Sequence, residues 1–193
     1  MIVPERIKRL PLDENGSPIL YFMKYVTKEP DARSTDAKKF ERLWKQDLCW
    51  ICGDRLGQYR AFVITAGNAL TRTTTEPPNH KECATWAAQH RPFLASPDCA
   101  GVWITKGYTV FKWHRPPFPM LITMGNPEHV EWWIDGRAAT REEIIESVKR
   151  GMPPLQDLAN TEPSANGRMR GHISLLDQHD FIMANLLPQE SPV

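Results

Sequence analysis

Three cysteines and one histidine stand at spacings that are typical of zinc ligands. Cys49 and Cys52 form a CxxC pair that is followed by Gly53, and His80 and Cys83 form an HxxC pair further along the chain. Zinc prefers four sulfur and nitrogen donors in tetrahedral geometry, and two ligands from a tight turn with two from a second element satisfy it. The sequence therefore predicts one structural Zn²⁺ ion bound by these four residues.

The HxxC pair falls at the start of a predicted helix. Asn79 and Glu82 have the spacing of a capping box in its Asn variant, so a helix is expected to begin here and to run to about residue 90. His80 and Cys83 then share one helix face, and the amino terminus of the helix favours the thiolate that zinc requires. Position and chemistry therefore agree on a metal site.

Two other interpretations of these residues are open. Cys49 and Cys52 can belong to an apolar core while His80 lies in a loop, in which case the four residues are unconnected. The CxxC pair can also be a redox motif, but this leaves His80 and Cys83 without a role, and no thioredoxin-like pattern of parallel strands surrounds the pair. The combined spacing of both pairs favours the metal site.

Two strands are predicted between the ligand pairs. Residues 60–65 and 69–75 have strand-like sequences, and the intervening Ala66-Gly67-Asn68 suits a hairpin turn. The order of zinc knuckle, β-hairpin and helix resembles the treble-clef zinc fold over residues 49–90. This resemblance implies that the knuckle and the helix each supply two ligands to one ion.

Further motifs resemble a family of uncharacterised proteins found in bacteriophage and bacterial genomes, over most of residues 5–155. The family often has a cysteine before the Pro92-Phe93-Leu94 motif, where this chain has Arg91, so a fifth ligand is not expected. The resemblance implies a phage or prophage setting in the bacterial cytoplasm, and it implies no activity. The motifs that carry it are Leu10-Pro11-Leu12-Asp13, Cys49-Trp50-Ile51-Cys52-Gly53, Ala61-Phe62-Val63-Ile64, Glu76-Pro77-Pro78-Asn79-His80-Lys81-Glu82-Cys83-Ala84 and Gly136-Arg137-Ala138-Ala139-Thr140-Arg141.

Composition limits the classes of protein to consider. The 193 residues are 41% hydrophobic and 24% charged, which is enough apolar material for a core and argues against disorder throughout. No apolar run approaches the roughly 18 to 20 residues of a membrane span, and the amino terminus lacks the pattern of a secretory signal. We therefore expect a cytoplasmic protein that does not associate with membranes. A net charge of +1 means that any nucleic-acid surface must be local.

The remaining chain predicts an α+β fold in which the zinc segment packs with a small antiparallel sheet and flanking helices. A strand over residues 19–26 precedes a helix that begins near Asp36, and further strands are predicted over 102–105, 109–113, 120–124 and 130–134. Thr140 and Glu143 form a capping box for a helix that ends at a left-handed Gly151, with shorter helices over 155–159 and 172–187. We therefore divide the chain into four segments, which are expected to form one compact unit: residues 1–48, 49–95, 96–160 and 161–193.

Two stretches without acidic residues are candidates for contact with nucleic acid. Residues 55–75 contain Arg55, Arg60 and Arg72, and residues 101–125 contain Lys112, His114 and Arg115 among several aromatic side chains. Basic side chains beside exposed aromatic rings suit stacking on single-stranded nucleic acid. The alternative is that Phe111 and Trp113 share a strand face that is buried in the core, so that the basic residues alone remain at the surface.

The favoured function is a zinc-stabilised phage accessory module that binds nucleic acid or a host protein and inhibits a host process. One alternative is a treble-clef nuclease of the HNH class or another hydrolase. However, all six histidines lie outside the predicted hairpin, and four protein ligands leave zinc no open position. Such an enzyme would need a site built from His114, His129 and His172 with neighbouring carboxylates, and no catalytic residue is assigned. The other alternative is a structural or assembly protein of the phage.

Overall fold

The computed structural model describes residues 3–26, 29–90, 98–115, 118–161 and 175–188. Within these ranges the chain forms six helices and nine strands, and the fold is α+β, as predicted. In chain order the elements are α1 Glu5–Lys8, β1 Met23–Val26, β2 Glu29–Thr35, α2 Ala37–Gln46, β3 Arg60–Ile64, α3 Ala66–Thr71, β4 Thr73–Thr74, α4 Lys81–His90, β5 Ala100–Thr105, β6 Tyr108–Arg115, β7 Phe118–Met124, β8 His129–Ile134, β9 Arg137–Ala138, α5 Arg141–Thr161 and α6 Leu175–Asn185.

The strands form three small antiparallel sheets. Strands β1 and β2 pair with each other, β3-β5-β8-β9 form a four-stranded sheet, and β4-β7-β6 form a three-stranded sheet. The four strands that were predicted over residues 102–134 are all present as β5 to β8. They are divided between two sheets instead of being joined in one, because β5 and β8 pair with β3 and β9 while β6 and β7 pair with β4.

Strand β5 separates two apolar cores. It is buried along its whole length, because helix α4 covers one face and helix α3 packs on the other. Successive strand residues point to opposite faces, so Val102 packs with Ile51 and Ala84 in the first core, and Trp103 packs with Ile144 in the second. The first core also contains two of the predicted metal ligands, which places the candidate site at its edge.

The prediction of a β-hairpin between the ligand pairs is wrong. Residues Ala66–Thr71 form helix α3, which begins with a capping box between Thr65 and Asn68, and only Thr73–Thr74 is a strand. Ala66, Ala69 and Leu70 are buried on this helix. Strand β3 pairs with β5, and β4 pairs with β7. The strand propensity of the threonines is therefore overridden by a local helix cap and by burial of one helical face.

The helix that begins after Thr140 is longer than predicted. The capping box is present, since the Thr140 backbone N–H donates to Glu143 and the Glu143 N–H donates to the Thr140 hydroxyl. Helix α5 then continues through Gly151 to residue 161, and it absorbs the short helix predicted over 155–159. Gly151 is therefore an interior helix residue and not a left-handed cap. Here α5 lies close to α3, because a Cβ atom on Gly151 would lie 3.4 Å from the Gly67 nitrogen, an ordinary contact distance.

The two ends of the chain follow the predictions more closely. Asp36 caps helix α2 and accepts hydrogen bonds from two backbone N–H groups of its first turn. Strand β1 is shorter than the predicted strand over 19–26, because the N–H of Ile19 donates to Pro11 and that of Tyr21 donates to Ile51. Helix α6 lies within the helix predicted over 172–187. The chain between α5 and α6, residues 162–174, lies outside the described residues.

Candidate metal centre

The first pair of ligands lies on a tight turn. The Gly53 N–H donates to the Cys49 carbonyl at 2.9 Å, and the Cys49 N–H donates to the Asp54 carbonyl at 2.7 Å, so the chain closes around the CxxC motif. Gly53 has a φ of 77°, a left-handed conformation that glycine adopts without steric cost. The Tyr21 ring also packs where a Cβ atom of residue 53 would lie. Both observations explain the glycine at this position.

The second pair of ligands lies where strand β3 meets helix α4. Ala61 and Asn79 exchange both backbone hydrogen bonds, at 2.9 and 2.8 Å, which fixes the chain one residue before His80. Cys83 lies in the first turn of α4 with no exposed surface, and His80 is 8% exposed. The β3 bridge and the helix therefore hold both side chains against the knuckle.

The four ligand atoms form one cluster of a size that fits a zinc ion. All of them lie within 4.8 Å of one another. The His80 Nδ1 atom lies 3.4 Å from Cys52 Sγ and 4.0 Å from Cys83 Sγ, and tetrahedral zinc with ordinary bond lengths separates such a nitrogen and sulfur by about 3.6 Å. The residues predicted from the CxxC and HxxC spacing are therefore brought together, and the four cysteines of the chain are free thiols.

The His80 ring is oriented for coordination through Nδ1. Its other nitrogen, Nε2, lies 3.0 Å from the Arg55 carbonyl oxygen. A carbonyl only accepts hydrogen bonds, so Nε2 carries the proton in the neutral ring and Nδ1 presents a lone pair to the three sulfurs. Metal-bound histidines usually donate their second N–H to such a partner, which fixes both tautomer and ring orientation.

The thiols affect one another's ionisation strongly. Burial opposes ionisation of Cys49, but hydrogen bonds from the Cys52 and Cys83 thiols lower its pKa well below the ordinary value. Hydrogen bonds to Cys49 and Cys52 raise the pKa of Cys83. Ionisation of Cys49 is thus favoured, whereas ionisation of Cys83 beside it is opposed. A divalent cation is what allows three adjacent sulfurs to ionise together.

Asn79 is a component of the site that the sequence alone did not identify. It was predicted to cap the helix, but its Oδ1 atom accepts from the Ile51 N–H at 3.2 Å and lies 3.7 Å from Cys49 Sγ. Its amide nitrogen donates to the Pro77 carbonyl at 3.3 Å, and the residue is 1% exposed. Asn79 therefore holds the knuckle in position from the second element.

Arg6 is a second component that sequence spacing does not reveal. Its guanidinium donates to Asp54 at 2.8 Å and to Glu82 at 2.9 Å, and these hydrogen bonds raise its pKa, chiefly through Asp54. Three thiolates with a neutral imidazole and Zn²⁺ carry one net negative charge. A cation beside the centre is therefore favourable, and Arg6 connects helix α1 to both halves of the site.

The residues predicted to contact nucleic acid differ in their exposure and in their partners within the protein. Arg60 is largely buried and pairs with Asp47 at 2.6 Å, and Arg72 donates to Gln178 at 2.8 Å and to Asn126 at 2.7 Å. Arg55 is exposed beside the knuckle, and its carbonyl contacts His80. The remaining three lie on strand β6, and their side chains fall outside the described part: Lys112, His114 and Arg115.

The histidines named for the hydrolase alternative are not seen to form a site. His129 is mostly exposed and lies 3.9 Å from Glu131, whose carboxylate pairs with Lys81 at 2.8 Å and accepts from the Thr85 hydroxyl. His172 and the side chain of His114 lie outside the described residues. In the described part, the Cys49, Cys52, His80 and Cys83 cluster remains the site with ligand geometry.

Comparisons of the chain with protein-family models, with curated proteins and with solved structures find no match. The resemblance to a phage family therefore stays a prediction. Among the described residues, no helix combines the length and the apolar character of a membrane span.

Proposed function

We propose that this protein is a zinc-stabilised phage or prophage module that acts by binding nucleic acid. The observation that carries the first half of this proposal is the single cluster of three sulfurs and one imidazole nitrogen within 4.8 Å. Four protein ligands fill a tetrahedral zinc shell and leave no position for a water nucleophile. Such an ion stabilises the fold and supplies no chemistry.

The metal segment in this proposal is a variant of the treble clef. The knuckle and helix α4 supply the ligand pairs, as in that fold, while helix α3 occupies the chain between them in place of the hairpin. The hairpin is the part of HNH nucleases that carries the catalytic histidine, so its replacement favours a binding role over hydrolysis.

Nucleic acid is the favoured partner because one long stretch of the chain contains basic residues and no acidic ones. Residues 101–125 contain no acidic side chain, although the whole chain is nearly neutral with a net charge of +1. Phe111 in this stretch is 52% exposed, so the alternative that it lies in the core is wrong. A local basic stretch attracts phosphates even where the overall charge does not. The earlier stretch over 55–75 contributes less, since Arg60 and Arg72 are already engaged within the protein.

Two measurements on the purified full chain test this function. Protein prepared without chelator is expected to contain one zinc ion per chain by elemental mass spectrometry. In fluorescence anisotropy, labelled DNA or RNA is expected to bind at low salt, and the affinity is expected to fall as salt increases. Absence of bound metal contradicts the zinc centre. Failure to bind any nucleic acid at low salt, or cleavage on addition of magnesium or manganese, contradicts the binding role.

A further inference from the structure

The three cysteines of the metal cluster differ in their access to solvent. Cys49 and Cys83 have no exposed surface, and Cys99, the remaining cysteine of the chain, is equally buried. Among these four cysteines, all of which the structure describes, Cys52 alone is partly exposed. Cys52 is therefore the cysteine that a small solute in water meets first.

The surroundings of the cluster account for this difference. Cys49 is covered by Asn79, whose Oδ1 atom lies 3.7 Å from the Cys49 sulfur. Cys83 lies in the first turn of helix α4 and packs in the first core. The cluster thus has a solvent side at Cys52 and a core side at the other two sulfurs. The side chains that form ion pairs beside the knuckle are themselves partly exposed: Arg6, Asp54 and Glu82.

Metal binding places all three sulfurs in their reactive form. A thiol that coordinates a divalent cation is deprotonated, and the thiolate is the form that reacts with peroxides and with alkylating reagents. In the zinc-bound protein Cys49, Cys52 and Cys83 are all thiolates. Ionisation therefore does not distinguish them, and access to solvent does.

We infer that Cys52 is an oxidation site, at which a peroxide modifies the protein and Cys49 completes a disulfide, and this inference rests on the zinc centre proposed above. The Cys52 sulfur attacks one peroxide oxygen, the O–O bond breaks, and the leaving hydroxide takes up a proton to form water. Cys52 is then a sulfenic acid.

The second step closes the disulfide. The Cys49 sulfur attacks the Cys52 sulfur, the S–S bond forms, and the S–O bond breaks. The second hydroxide leaves and takes up a proton to form water. The peroxide has then accepted the two electrons that the two thiolates lose, and two protons have been consumed.

Cys49 is the partner because it shares the knuckle with Cys52. The Cys49 and Cys83 sulfurs both lie within 4.8 Å of the Cys52 sulfur, whereas a disulfide bond is about 2.05 Å long. Cys83 belongs to helix α4, which the buried Ala84 and Trp86 hold in the first core. Closing a bond to Cys49 requires a change in the knuckle alone.

The disulfide removes two of the four ligands. His80 and Cys83 remain, and two donors do not complete the tetrahedral shell that structural zinc requires. Oxidation is therefore expected to release the ion and to withdraw its stabilisation from the first core. The metal content of the protein, and with it the folded state of residues 49–90, then responds to peroxide.

The first experiment uses the zinc-loaded full chain without substitutions. A limiting amount of N-ethylmaleimide is expected to label Cys52 before the other three cysteines, as determined by peptide mass spectrometry. Excess hydrogen peroxide is expected to release one zinc ion per chain to a chromophoric chelator and to give a disulfide between Cys49 and Cys52. Dithiothreitol with added zinc is expected to reverse both changes.

A variant that keeps a fourth ligand provides the second experiment. Cys52→His replaces the exposed thiol with an imidazole, which also binds zinc but forms no disulfide, so peroxide is expected to release zinc about tenfold more slowly or less. The matched control is Cys99→Ala, which removes a cysteine outside the cluster and is expected to leave the rate of zinc release unchanged. If Cys52→His does not bind zinc, the order of labelling in the unsubstituted protein decides.

The outcomes separate the two proposals. If the protein contains zinc but the first label falls on Cys49, Cys83 or Cys99, or if peroxide leaves the zinc bound, the inference fails and the proposed function stands. A disulfide between Cys52 and Cys83 overturns the role of Cys49. If the reduced protein contains no zinc, the proposed metal centre fails with the inference.

Discussion

At the scale of single residues, the metal centre depends on groups that orient the ligands as well as on the ligands. The Arg55 carbonyl fixes the His80 tautomer, and Asn79 contacts both the Ile51 N–H and Cys49 Sγ. Arg55 lies beside the knuckle and contacts a ligand of the second pair, whereas Asn79 lies beside the second pair and contacts a ligand of the knuckle. These contacts hold the two halves of the site against each other and restrict the orientation of the ligands.

Replacing Asn79 with alanine tests this role. The variant leaves the buried Ile51 N–H without its acceptor and frees the knuckle to move, so zinc affinity is expected to fall about 10- to 100-fold. Competition with a chromophoric chelator measures the change. Asn15→Ala serves as the control because residue 15 is exposed on a turn far from the ligands in sequence. Unchanged zinc affinity in a folded Asn79→Ala protein contradicts a positioning role.

At the scale of elements, glycines on strand β5 and at the contact between helices α3 and α5 differ in the space around them. A Cβ atom on Gly151 would lie 3.4 Å from the Gly67 nitrogen and 3.6 Å from its Cα atom, which are ordinary contact distances. Gly101 on strand β5 differs, since a Cβ atom there would approach Ile64 at 2.9 Å and Trp132 at 3.0 Å. The first position has room for a methyl group, and the second does not.

Opposite effects on stability are therefore expected for alanine at these two positions. Gly151→Ala lowers the backbone entropy of the unfolded chain and raises the free energy of unfolding by about 0.5–1 kcal/mol. Gly101→Ala forces neighbouring side chains apart and lowers it by about 1–3 kcal/mol. Urea unfolding in zinc-saturated buffer measures both. Destabilisation by Gly151→Ala, or neutrality of Gly101→Ala, contradicts the packing described here.

At the scale of the whole molecule, the metal centre joins parts of the chain that are distant in sequence. The first core combines Ile7 from α1, Ile51 from the knuckle, Val63 from β3 and Ala84 from α4. Arg6 adds ion pairs from α1 to Asp54 and Glu82. The second core, around Trp103 and α5, contains none of the four ligands. Loss of metal is therefore expected to affect the first core before the second.

Removal of zinc with a chelator tests this division. Structural zinc contributes on the order of 10 kcal/mol in small zinc domains, as much as the whole stability of a typical domain. Hydrogen exchange measured by mass spectrometry is expected to increase most over residues 49–56 and 79–90, and less over 141–152. Restored zinc is expected to reverse the change, and Cys83→Ser is expected to show it without chelator. An unchanged melting temperature after zinc removal contradicts a structural ion.

Much of the site and part of the fold follow from the sequence alone, because they depend on local chemistry. Zinc ligand spacing constrains residue type at fixed positions, so the CxxC and HxxC pairs predicted a cluster that the structure forms. Helix caps are equally local, and the cap at Asp36 and the capping box at Thr140 marked two helix starts correctly. Strand-like runs bounded by glycine and proline residues likewise located strands β5 to β8.

Tertiary structure alone decided the features that depend on long-range contact. The threonine-rich segment after Ile64 has both strand propensity and a helix cap, and burial of Leu70 against neighbouring helices selects the helix. Gly151 has the sequence signature of a helix end, but contact with α3 keeps it inside α5. Exposure of Phe111 depends on which strands pair, and pairing joins residues far apart in sequence. Local pattern cannot specify such contacts, because their energy comes from surfaces that meet only in the folded chain.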